Sequence, residues 1–220
     1  MSTSPTIADS EVNEAAPLAL SARQQAELEA AYATPPRAYH HFGHVIEVLR
    51  HYQAIATGPG WQQPREVWLA ALYHDAVYEA GRKDNEARSA QLVVAAIDRH
   101  LPDAGIDSAR VAGLIALTAR HGRIVPDELG SDTGAADARH FLDCDMAILG
   151  ADPYAFDQYD RAIADEYRGK VPGLIFRANR KRFLRHLLES ERIFLSDWFH
   201  QRLDAAARRN LRRALEGAKG

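Results

Sequence analysis

LAALYHDAVY, residues 69–78, is the stretch that decides the fold, because a buried-type helical pattern there contains two adjacent ionisable residues. The longer run PREVWLAALYHDAVYEAG, residues 64–81, has more apolar residues than one surface stripe requires, which predicts a central, mostly buried helix. His74 and Asp75 interrupt it, and burying them without partners would cost several kcal/mol. A cation bound by both side chains would remove that cost.

Apolar spacing predicts helices along the rest of the chain, and no stretch shows the alternation typical of a strand. Ser21 and Gln24 resemble a capping box at the start of a helix that the Pro35-Pro36 pair ends. Short Gly, Pro and Asp clusters separate the later patterns, at about 86–99, 108–121, 136–149, 153–168, 172–188 and 196–216. We therefore predict an all-α fold, with one helical domain over 17–220 after a disordered tail over 1–16.

Composition narrows the class of protein. The formal net charge of -3 gives no general attraction to nucleic acid or to an anionic membrane. The single cysteine, Cys144, cannot form an internal disulfide, and the polar N-terminus lacks the pattern of a secretory signal. No apolar run approaches the roughly 20 residues that span a bilayer. We expect a cytoplasmic protein without membrane or nucleic-acid partners.

Two further regions offer metal ligands. His40 and His44 lie four residues apart in a pattern that predicts a helix from near residue 39, which would place both imidazoles on one face. Asp143 and Asp145 interrupt another apolar helix, HFLDCDMAILG, residues 140–150. Imidazoles combined with carboxylates suit Mn, Fe, Co, Ni, Zn or Mg better than a thiolate-preferring ion.

The order of these residues resembles the HD superfamily of metal-dependent phosphohydrolases, in which a histidine precedes a His-Asp pair and a distant aspartate follows. The likeness to one group of bacterial HD-domain proteins covers most of residues 31–212. It is carried by YHHFGH (39–44), LAALYHDAVY (69–78), DNE (84–86), TARH (118–121) and LDCDMAILG (142–150).

The resemblance implies an HD fold with a divalent metal bound by His44, His74, Asp75 and Asp145. Asp145 matches the family pattern better than Asp143, because an apolar residue follows it. Asp75 is also the ligand nearest the attacking water in related sites. The implied activity is hydrolysis of a small phosphomonoester or phosphodiester, nucleotide-like in character, by water that the metal activates.

Other residues are candidates with two interpretations each. Asp84 and Glu86 could supply an outer general base or a hydrogen bond to a ligand histidine, or they could simply be the acidic residues that stabilise a helix N-terminus. His121 is catalytic or placed to meet a helix dipole. His40 binds a second ion or a substrate phosphate, or is a surface histidine. Arg180 belongs to a basic stretch that is either a phosphate clamp or a solvated helix face. The other members of this stretch are Lys170, Arg177, Arg182 and Arg185.

Three alternatives to the hydrolase stay open from the sequence. One is a metal-containing regulatory or ligand-binding module without turnover. Another is a di-iron oxygenase, which would recruit His40, Glu86 or His121 as additional ligands. The third is a buried polar network without metal, which predicts no loss of stability on chelation.

Overall fold

The structure, a computed structural model, describes residues 16–217, and all regular elements in this part of the chain are helical. The all-α prediction is confirmed. The predicted tail, residues 1–16, lies outside the described residues except for Ala16. The α-helices are α1 Ala22–Ala33, α2 Phe42–Thr57, α3 Pro64–Tyr73, α4 Asn85–His100, α5 Ser108–Thr118, α6 Thr133–Met146, α7 Pro153–Tyr167, α8 Gly173–Glu189 and α9 Asp197–Gly217, and the short 3₁₀ helices are Pro126–Leu129 and Ala147–Gly150.

Contacts along the chain group it into two compact units, the first ending at Ala119 and the second beginning at Arg120. The first unit contains α1 to α5, and the second contains α6 to α9 with both 3₁₀ helices. The prediction of a single domain over 17–220 stays a prediction.

Helix α3 is the centre of the first unit. It contacts α2, α4 and α5, and every residue from Glu66 to Tyr73 is buried. Trp68, Leu69 and Leu72 are among the largest fully buried side chains. A helix covered by neighbours on several sides has no polar face, which is why its sequence from Val67 to Tyr73 is apolar all round. The prediction of a central, mostly buried helix is confirmed.

The end of α3 differs from the prediction, because the helix stops at Tyr73 rather than continuing to Gly81. The N–H of His74 closes the last turn by donating to the carbonyl of Ala70 at 2.9 Å. Beyond it, the N–H of Val77 donates to a side chain of α4 rather than to a carbonyl of α3. His74 and Asp75 therefore lie at the C-terminal end of a buried helix, not in its middle.

Helix α2 begins at Phe42, because His41 caps it: the His41 Nδ1 accepts a hydrogen bond from the Gly43 N–H at 2.9 Å. His40 thus precedes the helix. The expectation that His40 and His44 share one helical face is wrong. The spacing of apolar residues predicted a helix from near residue 39, but the His41 cap places the first helical residue at Phe42.

In the second unit, α9 contacts α6, α7, α8 and the 3₁₀ helix Ala147–Gly150. The close approach at Gly150 requires glycine, because an added Cβ there would lie 2.7 Å from the Cβ of Leu203. The amide of Asn210 donates to the carbonyls of Leu149 and Ala151, both at 2.9 Å. These bonds satisfy carbonyls at the end of the 3₁₀ helix, which no helical N–H can reach.

Candidate metal centre

Three predicted ligands of the first unit converge. The Nε2 of His74 lies 3.2 Å from the Nε2 of His44 and 3.1 Å from the Oδ2 of Asp75. The Nε2 of His44 lies 3.7 Å from the same carboxylate oxygen. Among the described residues, His44, His74 and Asp75 form the group of three side chains whose ligand atoms lie close enough together to bind one metal ion. The order of residues in the sequence therefore predicted a real cluster in space.

The orientation of His74 follows from the end of α3. Its Nδ1 lies 2.9 Å from the carbonyl oxygen of Ala71, three residues earlier on the same helix. A carbonyl only accepts, so Nδ1 carries the proton and the Nε2 lone pair faces the cluster. An imidazole fixed in this way by a backbone carbonyl is the usual arrangement for a metal-binding histidine.

His44 reaches the cluster from α2, whose apolar side is packed in the core through Val45, Val48 and Leu49. The ring of Tyr39 lies 4.7 Å from the ring of His44, centre to centre. The imidazole is therefore enclosed and cannot turn outward freely. Since α2 and α3 pack against each other, their histidines meet at a fixed contact between two helices.

The distances fit a bound metal ion. Divalent ions bind histidine nitrogen and carboxylate oxygen at roughly 2.0–2.2 Å, so neighbouring ligand atoms lie about 3.0 Å apart in octahedral and about 3.4 Å apart in tetrahedral geometry. Two of the three separations, 3.1 and 3.2 Å, lie between those values, and the third, 3.7 Å, is somewhat longer than the tetrahedral one. The side chains of His44 and His74 are 4% and 0% exposed, whereas that of Asp75 is 15% exposed. The carboxylate is thus the member of the cluster nearest solvent.

Sequence reasoning missed the residues that hold the segment after the His-Asp pair. The Asn85 side chain accepts from the Glu79 N–H at 3.1 Å and donates to the Glu79 carbonyl at 3.0 Å. The Ser89 hydroxyl does the same for Val77, at 3.0 and 3.2 Å. Both side chains are buried at the start of α4. The only signal in the sequence was the polar DNE motif, and its buried member is the asparagine.

Replacing Asn85 with alanine should lower the free energy of unfolding by about 1–3 kcal/mol, because the N–H and carbonyl of Glu79 lose their partner in a half-buried segment. Urea denaturation followed by circular dichroism measures the change. The exposed neighbour Arg88 is the control, since an alanine there should alter stability by less than about 0.5 kcal/mol. Equal stability of the Asn85→Ala and Arg88→Ala proteins would contradict this role.

The two carboxylates of the DNE motif have different surroundings. Asp84 forms a two-point ion pair with Arg82, at 2.7 Å from each of two guanidinium nitrogens, and this hydrogen bonding lowers the pKa of the Asp84 carboxyl. Glu86 lies in the first turn of α4 and is half-buried. Both positions suit an acidic helix N-terminus. A catalytic role for either residue stays a prediction.

His40 lies near the cluster although it is not on α2. Its ring stacks on Tyr78 with centroids 3.9 Å apart, and it lies 5.9 Å from the ring of His44. Tyr39 contacts the rings of both histidines. His40 is thus part of an aromatic group that borders the candidate metal centre. Its role in binding a second ion or a substrate phosphate stays a prediction.

In the second unit, His121 and Asp145 form a pair, with the His121 Nδ1 3.2 Å from the Asp145 Oδ2. Helix α5 ends at Thr118, so His121 follows it in the turn around Gly122, which has a φ of 68°. Asp145 lies in the last turn of α6. A carboxylate that orients an imidazole is compatible with a catalytic or ligand-supporting role, and both predicted roles stay predictions.

Asp143 has a clear structural part in the second unit. One carboxylate oxygen accepts from the Leu195 N–H at 2.7 Å, and the other accepts from the N–H and the hydroxyl of Ser196 at 2.7 and 2.6 Å. Burial raises the pKa of Asp143 to about 7, and these donors act in the opposite direction. Its oxygens are committed to the segment just before α9, and the assignment of Asp145 rather than Asp143 as the later metal ligand stays a prediction.

A cavity of about 510 Å³ lies in the second unit, with His121, Asp143 and Met146 in its wall. Three arginines and two acidic residues other than Asp143 also border it: Arg120, Arg123, Arg192, Asp127 and Glu191. Arg120 and Arg192 are ion-paired with Glu128 and Asp197. The cavity therefore has charged groups of both signs in its wall, without a strong excess of positive charge.

Arg180, predicted to contact substrate, is packed inside the second unit. Its guanidinium forms bonds of 2.8 and 3.0 Å to Asp160 and one of 3.2 Å to the hydroxyl of Tyr159. These contacts account for the residue without a ligand, and its substrate role stays a prediction. The other members of the basic stretch are exposed, as expected of a solvated face: Lys170, Arg177, Arg182 and Arg185.

No protein-family model matches the chain, and neither a curated protein nor a solved structure matches it. The HD resemblance therefore stays a prediction from the sequence motifs. Among the described residues, no helix is long and apolar enough to cross a membrane.

Proposed function

We propose that this protein is a metal-dependent phosphohydrolase that acts on a small phosphomonoester or phosphodiester of nucleotide-like character. The observation that supports it most is the convergence of His44, His74 and Asp75 at separations suited to a divalent ion. The order of the same residues in the HD-type motif supplies the link to phosphate chemistry. Mn, Fe, Co, Ni, Zn and Mg all suit this mixed donor set.

A divalent ion in this centre would supply Lewis-acid chemistry, polarising a phosphoryl oxygen and acidifying water. The histidines serve as neutral donors, and the hydrogen bond from His74 Nδ1 to Ala71 keeps the His74 Nε2 lone pair directed inward. Asp75 is the most exposed of the three side chains, and its carboxylate orients the attacking water by accepting a hydrogen bond from it. Because the side chains of His44 and His74 are buried, solvent is excluded from their ligand nitrogens.

The proposed set has Asp145 as a further ligand, on the strength of the sequence resemblance. Its Oδ2 lies beside His121 Nδ1, a contact that would hold the carboxylate in one orientation. Asp143 is the natural comparison, because it is two residues away and its oxygens already accept three hydrogen bonds. Because the resemblance makes the Asp145 carboxylate a ligand, an Asp145→Asn protein is expected to lose metal affinity while it retains the fold.

The activity is tested with chelator-treated protein reconstituted with Mn, Co, Ni or Mg and incubated with nitrophenyl phosphomonoesters, phosphodiesters and nucleotides. We expect phosphate or nitrophenol release that requires metal, is absent in His44→Ala protein, and places oxygen from ¹⁸O-labelled water in the product. The control is Arg212→Ala, an exposed position on α9. Metal binding without turnover of any substrate class would contradict the hydrolase and favour a regulatory module.

A further inference from the structure

Arg37, in the segment between α1 and α2, binds four backbone carbonyls with one side chain. Its Nη1 donates to His40 at 2.9 Å and to Asp75 at 2.6 Å. Its Nη2 donates to Ala31 at 2.9 Å and to Ala76 at 3.0 Å. The four N–H groups on these two nitrogens are thus matched by four backbone acceptors.

Three of these carbonyls, those of His40, Asp75 and Ala76, belong to the two segments that carry the metal-ligand candidates, and the fourth, that of Ala31, lies on α1. The carbonyl of Asp75 is that of a ligand candidate itself, and Ala76 follows it. The carbonyl of His40 lies on the other segment, next to the His41 cap that starts α2 and four residues before His44. One side chain therefore joins the backbone that precedes His44 to the backbone at the His-Asp pair.

Aromatic rings hold the guanidinium in this place. It lies 5.3 Å from the ring centroid of Tyr32 and 5.8 Å from that of Tyr78. The hydroxyl of Tyr32 donates to the Leu72 carbonyl at 2.9 Å and accepts from the Asp75 N–H at 3.3 Å. Asp75 is thus held at its N–H by Tyr32 and at its carbonyl by Arg37.

We propose that Arg37 is the positioning residue of the metal centre, which sets the separation between His44 and the His74-Asp75 pair. The inference rests on the proposed metal site. Only a planar guanidinium presents two pairs of donors to carbonyls on opposite sides, whereas a lysine ammonium directs three donors from one point. Groups that orient metal ligands typically change affinity by about 10- to 100-fold when they are removed.

The test is cobalt titration of Arg37→Lys protein, read by competition with a chromophoric chelator and by the visible absorption of bound Co²⁺, which reports ligand geometry. We expect affinity to fall by about 10- to 100-fold and the absorption bands to shift. Methylguanidinium added to Arg37→Ala protein should restore part of the affinity. Affinity and spectrum equal to wild type in Arg37→Lys would overturn the inference.

Arg65 provides a matched control in the same unit. Its guanidinium also donates to backbone carbonyls, those of Ala104 at 2.7 Å and Gly105 at 3.4 Å, but neither residue is a ligand candidate. Arg65→Lys protein should bind cobalt like wild type. A fall in affinity equal to that of Arg37→Lys would show a general effect of losing a carbonyl-binding arginine and would also overturn the inference.

A measurement on the unaltered chain covers the case in which the Arg37 variants lose their helical circular dichroism. Hydrogen exchange of wild-type protein should slow on cobalt binding both at residues 74–76 and at residues 37–41, because Arg37 couples these segments. Protection confined to 74–76 would contradict the coupling. Absence of cobalt binding by wild-type protein would instead contradict the metal centre itself, so the two failures are distinguishable.

Discussion

Replacement of His74 and Asp75 together with alanine abolishes tight retention of a divalent metal. The double variant removes two of the three converging donor atoms, and of these three it leaves only that of the His44 imidazole. Loss of groups that merely orient a ligand already costs about 10- to 100-fold, so the loss of two ligands should exceed about 100-fold in affinity. Elemental analysis after desalting, with competition titration, gives the value.

The control for this variant is Arg212→Ala, which changes an exposed side chain of α9 and should leave metal content unchanged. Circular dichroism establishes that both proteins are helical before metal is measured. Metal content equal to wild type in a folded double variant would contradict the assignment of His74 and Asp75 as ligands.

Replacement of Asp143 with alanine should produce the largest loss of stability among the single substitutions considered. The carboxylate is 1% exposed and accepts three hydrogen bonds from Leu195 and Ser196. Its removal leaves a cavity and takes the acceptor from these donors, two of which are buried, which costs about 3–5 kcal/mol in the free energy of unfolding. Urea denaturation monitored by circular dichroism measures the change.

Asp127→Ala is the matched comparison in the same unit, because that aspartate is exposed and should change stability by no more than about 0.5 kcal/mol. Near-equal stability of the Asp143→Ala and Asp127→Ala proteins would contradict the structural role. It would also reopen the choice between Asp143 and Asp145 as the later metal ligand.

The fold class and the core of the site could be read from the sequence because both depend on local pattern. Continuous apolar character predicted the buried position of α3, and polar residues inside that pattern predicted that His74 and Asp75 have a special role. The addition of His44 came from the order of residues in a known motif. Its convergence with the pair is a property of the packing of α2 on α3.

Helix boundaries were less predictable because distant or capping side chains decide them. The chain leaves α3 at Tyr73 since Val77 and Glu79 bond to Ser89 and Asn85 of α4. Spacing of apolar residues contains no information about those bonds. The start of α2 likewise depends on His41, a residue type that is seldom expected at a helix cap.

Roles that depend on contacts far along the chain also escaped the sequence. Arg37 bonds to carbonyls up to 39 residues away, and a carbonyl is present in every residue, so no residue type marks the partner. Asp143 and Asp145 look alike in LDCDMAILG, yet Asp143 is committed to residues 52 and 53 positions later. Arg180 reads as a free cation in a basic run but pairs with Asp160.

The most direct test of the metal centre is elemental analysis of chelator-washed, reconstituted wild-type protein, combined with calorimetric titration of Mn²⁺ or Co²⁺ into the same metal-free sample. We predict at least one ion retained per chain, with saturable binding that the His44→Ala protein lacks. Wild-type protein that retains no ion under any of these metals would contradict the claim that His44, His74 and Asp75 form a metal-binding site.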